Sequence, residues 1–284
     1  MVVLVTGSNG QLGQALHAIA ANFADVDFIF KTSTELDITN KEHCIAVFEA
    51  IKPDYCINAA AYTAVDKAES EADKAYAINV KGVENIAQSC KNTNTTLVHV
   101  STDFVFDGSN SIPYTEEDQT NPMGVYGQTK LEGEVIVEHI LDRYYIIRTS
   151  WVYSQFANNF MKTMLRLASE RDQLSVVNDQ VGTPTHAVDL ANALLSIINF
   201  DAEHQGLKLS GIYNFSNEGV CTWYDFAKKI FEVNHIEIKV NPIGSESYPT
   251  PAKRPAYSVL DKTKIKKIFG IAIPDWDTSL LNNS

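Results

Sequence analysis

Tyr126 and Lys130, in the run Tyr126-Gly127-Gln128-Thr129-Lys130, raise the first chemical question. On a helix, a separation of four puts both side chains on one face, one turn apart. A free phenol titrates near pH ~10 and is a poor proton shuttle at neutrality. A neighbouring ammonium stabilises the phenolate and lowers that value, which suits general acid–base work on a carbonyl oxygen as it is reduced. A hydroxyl at Thr102, in Ser101-Thr102-Asp103, is a candidate to polarise the same oxygen. Alone, the Tyr/Lys pair is also an ordinary exposed helical couple. Its meaning depends on what comes before it in the chain.

What comes before is a glycine turn. Gly7-Ser8-Asn9-Gly10-Gln11-Leu12-Gly13 follows the apolar run Val2–Val5 and opens a helical pattern. Glycines at this spacing permit a tight turn, a close backbone approach to a pyrophosphate, and close packing of helix on strand. The helix start then offers N–H groups and partial positive charge to phosphates. That reading implies a nicotinamide dinucleotide. The second strand runs into Lys31-Thr32-Ser33. A cation and hydroxyls there suit a 2′-phosphate, favouring NADPH over NADH, although Glu35 complicates the choice. Asp37, before Ile38, is a candidate for the adenine amino group or, equally, a helix-capping residue. The third strand ends in Asn58-Ala59-Ala60-Ala61-Tyr62-Thr63, where small residues let a flat cofactor lie against the backbone.

The elements that must position these groups alternate. Strand-like runs occur at Val2–Val5, Asp27–Phe30, Tyr55–Asn58, Leu97–Ser101 and Tyr144–Arg148. Helical patterns lie at Gln11–Ala21, Lys41–Ile51, Ala72–Lys91 and Tyr126–Ile140. Such alternation predicts βαβ units in an α/β fold, a Rossmann-type doubly wound parallel sheet over residues 1–150. Helical patterns at Met161–Ser169, Ala187–Ile198 and Thr222–Val233, the last with Thr222 as N-cap, predict a smaller C-terminal α/β portion. It is assigned to residues 151–284 and to substrate binding, with later segments returning to the first domain. The proline-containing stretch from 239 to 261 is expected to be loop.

Composition narrows the partners. The 284 residues carry a net charge of -12, which argues against nucleic acid and anionic membranes as partners. Cysteines 44, 56, 90 and 221 show no zinc spacing and read as reduced thiols. The N-terminus has no signal-peptide pattern, and no apolar run nears the ~20 residues of a membrane span. A cytoplasmic location is expected.

In order, the glycine turn, the small residues, the strand-end hydroxyl and the Tyr/Lys pair resemble the extended short-chain dehydrogenase/reductases. Further segments resemble the deoxysugar-nucleotide reductases among them: Asn58–Glu69 (NAAAYTAVDKAE), Ser101–Gly108 (STDFVFDG), Arg148–Tyr153 (RTSWVY), Asn178–Thr185 (NDQVGTPT) and Pro251–Leu260 (PAKRPAYSVL). The resemblance spans essentially the whole chain. It implies hydride transfer from NADPH or NADH to C4 of a dTDP-linked deoxysugar, dTDP-4-dehydro-L-rhamnose. It implies that Tyr126 protonates the developing alkoxide, that Lys130 tunes Tyr126 and holds the nicotinamide ribose, and that Thr102 bonds the substrate. Asp103 and Trp151 match positions near the sugar. Gly10, Gln11, Leu12, Asp37, Ile38, Ala61, Tyr62 and Thr63 match cofactor contacts. Arg254 matches a position suited to the nucleotide diphosphate.

Two of these carry a rationale of their own. Trp151 follows the fifth strand at its cleft end, where an indole packs on a sugar face or serves as core. Arg254 offers a guanidinium, which fits phosphate geometry, on an acidic chain. Some relatives hold magnesium at a dimer interface. The first helix here reads Gln14-Ala15-Leu16-His17, and Asp189 stands alone in its helix, so no metal is expected and monomer or homodimer stays open. Two alternatives also stay open. One is an epimerase or dehydratase for another nucleotide sugar, although Phe104 stands where a dehydratase's acid would follow Thr102-Asp103. The other is a non-catalytic, dinucleotide-binding regulatory subunit.

Overall fold

The computed structural model describes residues 1–282. Six parallel strands form the central sheet: β1 (Val2–Thr6), β2 (Asp27–Lys31), β3 (Tyr55–Asn58), β4 (Thr96–Thr102), β5 (Tyr144–Thr149) and β6 (Gly211–Asn214). Their order is β6-β5-β4-β3-β1-β2. The winding therefore reverses between β1 and β3, and ligands of open α/β sheets bind at the strand ends beside such a reversal.

The strands read as continuous apolar runs because both sheet faces are covered. Val3, Val5, Ile57, Val98 and Ile147 enter one core, while Leu4, Cys56, Leu97 and Ile146 enter the other. This is the period-two alternation of a strand with no wet face. Helix α1 (Gln11–Ile19) and helix α6 (Ala187–Glu203) cover the first face through Leu12, Leu16, Leu190 and Leu194. Helices α2 (Lys41–Ile51), α3 (Val83–Thr93) and α4 (Val125–Ile140) cover the second through Phe48, Ile86 and Val137. Both α6 and β6 thus bring residues beyond 150 into the first body.

A separate core, around Tyr153, Phe226, Ile230 and Leu280, is enclosed by α5 (Phe160–Glu170), α7 (Trp223–Val233) and a last helix, Trp276–Asn282. Thr222 caps α7 in a capping box with Asp225. The stretch from 239 is not all loop. Lys239–Ile243 pairs in parallel with Gln173–Val177, with Pro242 opposite Val176. Proline is tolerated because the strand has a neighbour on one side only.

One further expectation needs correction. The helix expected over Ala72–Lys91 is broken into Ala72–Tyr76, a π-helical Ala77–Gly82, and α3. The wider turn turns Asn79 inward, and π segments of this kind recur at functional sites. The Asp189 carboxylate accepts from Asn217 at 2.7 Å and from the Ser279 hydroxyl, tying α6 to the C-terminal helix. The four cysteines are free and buried. No helix among the described residues is long and apolar enough to cross a membrane.

Helix α4 is fixed to the sheet by charge. Glu134 accepts from Arg148 Nε at 3.1 Å and Nη2 at 2.7 Å, and from the Ser101 hydroxyl. Both charged side chains are almost fully buried, at 3% and 1% exposure. Removing one partner of such a pair strands the other charge away from water. Glu134→Ala should therefore cost about 3–5 kcal/mol in denaturant unfolding. The paired replacement Glu134→Leu/Arg148→Met should recover most of that loss.

Candidate active site

The dinucleotide side is built by close backbone approach. Gly7 has φ +65°, and a Cβ there would lie 2.7 Å from the Ala60 nitrogen, so only glycine lets the β1–α1 turn press on the segment after β3. A Cβ on Gly13 would lie 2.5 Å from Ser8 Cα, which fixes how tightly α1 returns over the turn. Gly10 is the N-cap of α1, no side chain caps it, and the first turn holds no acid. That start suits an anion. The turn fits the pyrophosphate of a dinucleotide on these grounds.

The other expected cofactor residues divide. The Lys31 carbonyl accepts from Ser8 N at 3.1 Å, which places the β2 end beside the turn. The Glu35 carboxylate accepts from the Thr32 amide at 2.9 Å and hydroxyl at 2.8 Å, and these bonds, with a smaller part from Lys31, hold that carboxyl below its usual range. Asp37 accepts from the Thr39 amide and hydroxyl, but Asn40 is the residue that caps α2. Ile38 and Leu12 have their side chains in the cores on opposite sheet faces. The Gln11 side chain bridges to the segment after β5, donating to the Val152 carbonyl at 3.3 Å and accepting from Asn159 at 2.9 Å. Ala61-Tyr62-Thr63 is held by Asn79, which accepts from Tyr62 N at 2.8 Å and donates to Tyr62 O at 3.1 Å. The Tyr62 ring is buried, with its hydroxyl on Glu71.

Tyr126 and Lys130 do lie on the inner side of α4, beside the end of β4. Burial pushes the Tyr126 phenol up to about 12, while the Thr102 hydroxyl pulls it back down by hydrogen-bonding. The expected depression by Lys130 is not found among the chain's own groups. Lys130 is 2% exposed, and its Nζ donates to the Val100 carbonyl at 2.6 Å and lies 3.4 Å from His99 Nε2. The shift falls on the lysine instead: burial lowers it to about 8, against the opposing pull of Glu134. Asp103, beside Thr102, accepts the Thr102 hydroxyl at 3.0 Å. Burial pushes its carboxyl up to about 6, against the Ser258 and Thr102 hydroxyls, and its Oδ2 makes no hydrogen bond of normal geometry. The phenyl ring of Phe104 meets Tyr126 edge-on at 5.6 Å.

On the substrate side, Trp151 adopts φ +47°, which a bulky side chain rarely does. Its indole stacks on Trp223 at 3.6 Å and lies against Gly182, where a Cβ would be 2.6 Å from the ring. One indole face is therefore already taken by a second indole. Arg254 reaches Asp66, with Nη1 and Nη2 donating to the two carboxylate oxygens at 3.0 and 2.8 Å.

Several residues of this region escape sequence reasoning. Asn79, His99, Glu134, Trp223 and Asp66 act through partners far away in the chain. Glu69 is another: its Oε1 accepts from Val125 N at 2.9 Å, serving the start of α4 where Gly124 offers no side-chain cap. The clue available was Glu134, four residues beyond Lys130 on the same helical face.

A doubly wound parallel sheet whose fourth strand ends in a hydroxyl, with a phenol and a buried lysine on the helix beside it, is the arrangement of the extended short-chain dehydrogenase/reductases. A family model described as RmlD substrate binding domain matches residues 1–283. This chain belongs to that family. It is 43% identical to a dTDP-4-dehydrorhamnose reductase of Aggregatibacter actinomycetemcomitans, over 99% of this chain and 97% of that one. The crystal structure of a dTDP-4-dehydrorhamnose reductase from Clostridium acetobutylicum superposes with TM-score 0.93 at 42% identity, covering 100% of this chain and 98% of that one. One from Bacillus anthracis, solved in complex with NADP, gives TM-score 0.94 at 38% identity, covering 99% and 98%.

The Lys130 shift has a measurable sign. A lysine lowered to about 8 in the fold releases its proton there at a pH where the unfolded chain still holds it. Folding is therefore penalised below that pH, and the penalty is relieved as pH rises from about 8 towards the ordinary lysine range. The stability difference between wild type and Lys130→Met should rise across that window by up to about 1.4 kcal/mol per pH unit. Urea unfolding at a series of pH values measures it, and a flat difference would refute the assignment.

Proposed function

We propose that this chain reduces the C4 keto group of dTDP-4-dehydro-L-rhamnose to dTDP-L-rhamnose at the expense of NAD(P)H, with Tyr126 as proton donor. The observation that carries the reading is geometric: Thr102 ends β4, the Tyr126 ring lies beside it against Phe104, and Lys130 is buried one turn further along α4. The Tyr126 phenol is pushed up to about 12, so it holds its proton throughout the neutral range, and the Thr102 hydroxyl lies against it. A protonated phenol is the form a reduction needs, since the product alkoxide is by far the stronger base.

Bound NAD(P)H supplies the hydride. The Gly7–Gly13 turn and the α1 start receive the pyrophosphate, and Lys31 at the end of β2 favours the 2′-phosphate of NADPH. A relative of the same family has been solved with NADP. Thr102 orients the carbonyl oxygen and Tyr126 donates to it as charge develops. Lys130, anchored on the Val100 carbonyl, has donors left for the nicotinamide ribose and the phenol. Asp103 stands beside Thr102, and its buried, unpaired Oδ2 is an acceptor without a partner of its own that a sugar hydroxyl would satisfy. Arg254 takes the diphosphate. The Trp151–Trp223 stack forms an aromatic wall, so the sugar meets its outer face or edge rather than a lone indole.

The reductase reading is favoured over an epimerase by the relatives of about 40% identity, which are named as reductases. It is favoured over a regulatory subunit by the intact Thr102, Tyr126 and Lys130 set. Four buried free thiols suit a reducing compartment, and we read the enzyme as cytoplasmic.

With the keto-sugar nucleotide supplied, NADPH should be consumed in proportion to product. Tyr126→Phe should lower kcat by about 10²–10⁴-fold, with NADPH affinity and fold retained. Near-wild-type turnover in that variant would remove Tyr126 from the mechanism. Absence of turnover in the wild type would remove the substrate assignment.

A further inference from the structure

The loop from 249 to 255 folds around a carboxylate. Asp66, on the short helix Val65–Ala68 after β3, is 188 residues from Arg254, yet its two oxygens take both arms of that guanidinium. The Ala252 amide also donates to Asp66 Oδ1, at 3.3 Å. Arg254 Nη1 is steadied further by the Thr250 hydroxyl and the Ala252 carbonyl. A guanidinium fork with a main-chain N–H beside it is the donor set that phosphate oxygens take. Here one of the chain's own anions fills it.

Exposure decides whether such a contact is permanent. Arg254 is 25% and Asp66 39% exposed, unlike the sealed Arg148–Glu134 pair at 3% and 1%. A half-exposed ion pair contributes little and can be exchanged, because water compensates each partner on separation. The Arg254 guanidinium also holds the Asp66 carboxyl below the usual carboxylate range, so it remains an anion at neutral pH.

We propose that Asp66 is an internal competitor for the substrate's diphosphate: it occupies the Arg254 anion site and yields it to the incoming phosphoryl oxygens. The proposal rests on the nucleotide-sugar reading above and adds a residue that sets substrate affinity without touching the reacting carbonyl. Its role is to keep the guanidinium extended and paired on an acidic surface, at the cost of weaker binding. A ligand prevails by offering two phosphoryl groups against a single carboxylate.

The test is calorimetric titration of dTDP, with thymidine as a phosphate-free control, into wild type, Asp66→Asn, Arg254→Met and the double variant. Asp66→Asn should bind dTDP about two- to five-fold more tightly, the range set by a half-exposed ion pair. Thymidine binding should not change. Arg254→Met should weaken dTDP binding, and adding Asp66→Asn to it should bring no gain, since nothing is left to compete for. Cooperative thermal unfolding of each variant checks that it is folded. Equal or weaker dTDP binding by folded Asp66→Asn overturns the proposal and leaves the substrate reading standing. Failure of wild type to bind dTDP at all overturns both.

Discussion

The site depends on charge buried beneath α4. Lys130 and Glu134 face the sheet from successive turns of that helix, and Arg148 rises from β5 to meet Glu134. Charged groups in that setting cost several kcal/mol each unless every donor and acceptor is matched. The matches made are specific in register: the Val100 carbonyl for Lys130, and the Ser101 hydroxyl and Arg148 for Glu134, while Arg148 Nη1 makes no hydrogen bond and the guanidinium lies 5.2 Å over the Phe106 ring. Sliding α4 by one residue would break all of them together. Tyr126, one turn before Lys130, is thereby held at a fixed height over Thr102, which ends the same strand that supplies Val100 and Ser101. The position of Tyr126 over Thr102 is thus set by a polar network buried beneath the helix.

The network also changes how the Tyr/Lys pair works. Helical spacing suggests a simple exchange in which the ammonium lowers the phenol. In the fold, the lysine's charge is directed to a backbone carbonyl and set against Glu134, while burial raises the tyrosine. For a reduction this ordering is useful. On the proposed mechanism the phenol keeps its proton until an alkoxide forms, with the Thr102 hydroxyl against it.

Much of the fold was legible because β1 to β5 are covered on both faces and therefore read as continuous apolar runs of strand length. The weaker elements were not. Gly211–Asn214 is a short edge strand, and Lys239–Ile243 contains a proline whose tolerance follows from having only one neighbour. The π segment at Ala77–Gly82 carries no periodicity of its own; it exists because Asn79 must reach the backbone of Tyr62, seventeen residues earlier. The site shows the same division. Gly7, Thr102, Tyr126 and Lys130 could be read because their chemistry is local: a turn, a strand end, one helical step. His99 looks like any strand-interior residue until Asn58 and Lys130 are seen on its two ring nitrogens, at 3.1 and 3.4 Å. Trp223, which covers a face of Trp151, lies on another helix altogether.

On the function proposed above, an acidic chain holds two phosphate-bearing molecules, and the two sites it would use differ. At the start of α1 the attraction comes from backbone dipoles, no carboxylate stands in the first turn, and glycines bring the main chain close. Such a site needs no counter-ion of its own, because partial charges spread over amides are well hydrated. At Arg254 the attraction is a full charge on a flexible stem, and a full charge is kept in place by a partner. The backbone site is rigid and suited to a cofactor that presents the same pyrophosphate in every cycle. The side-chain site can exchange its partner, which suits a molecule that must enter with a keto group and leave with an alcohol. The difference follows from the chemistry of amide and guanidinium, and it matches the division of cofactor and substrate between the two sites that is proposed above.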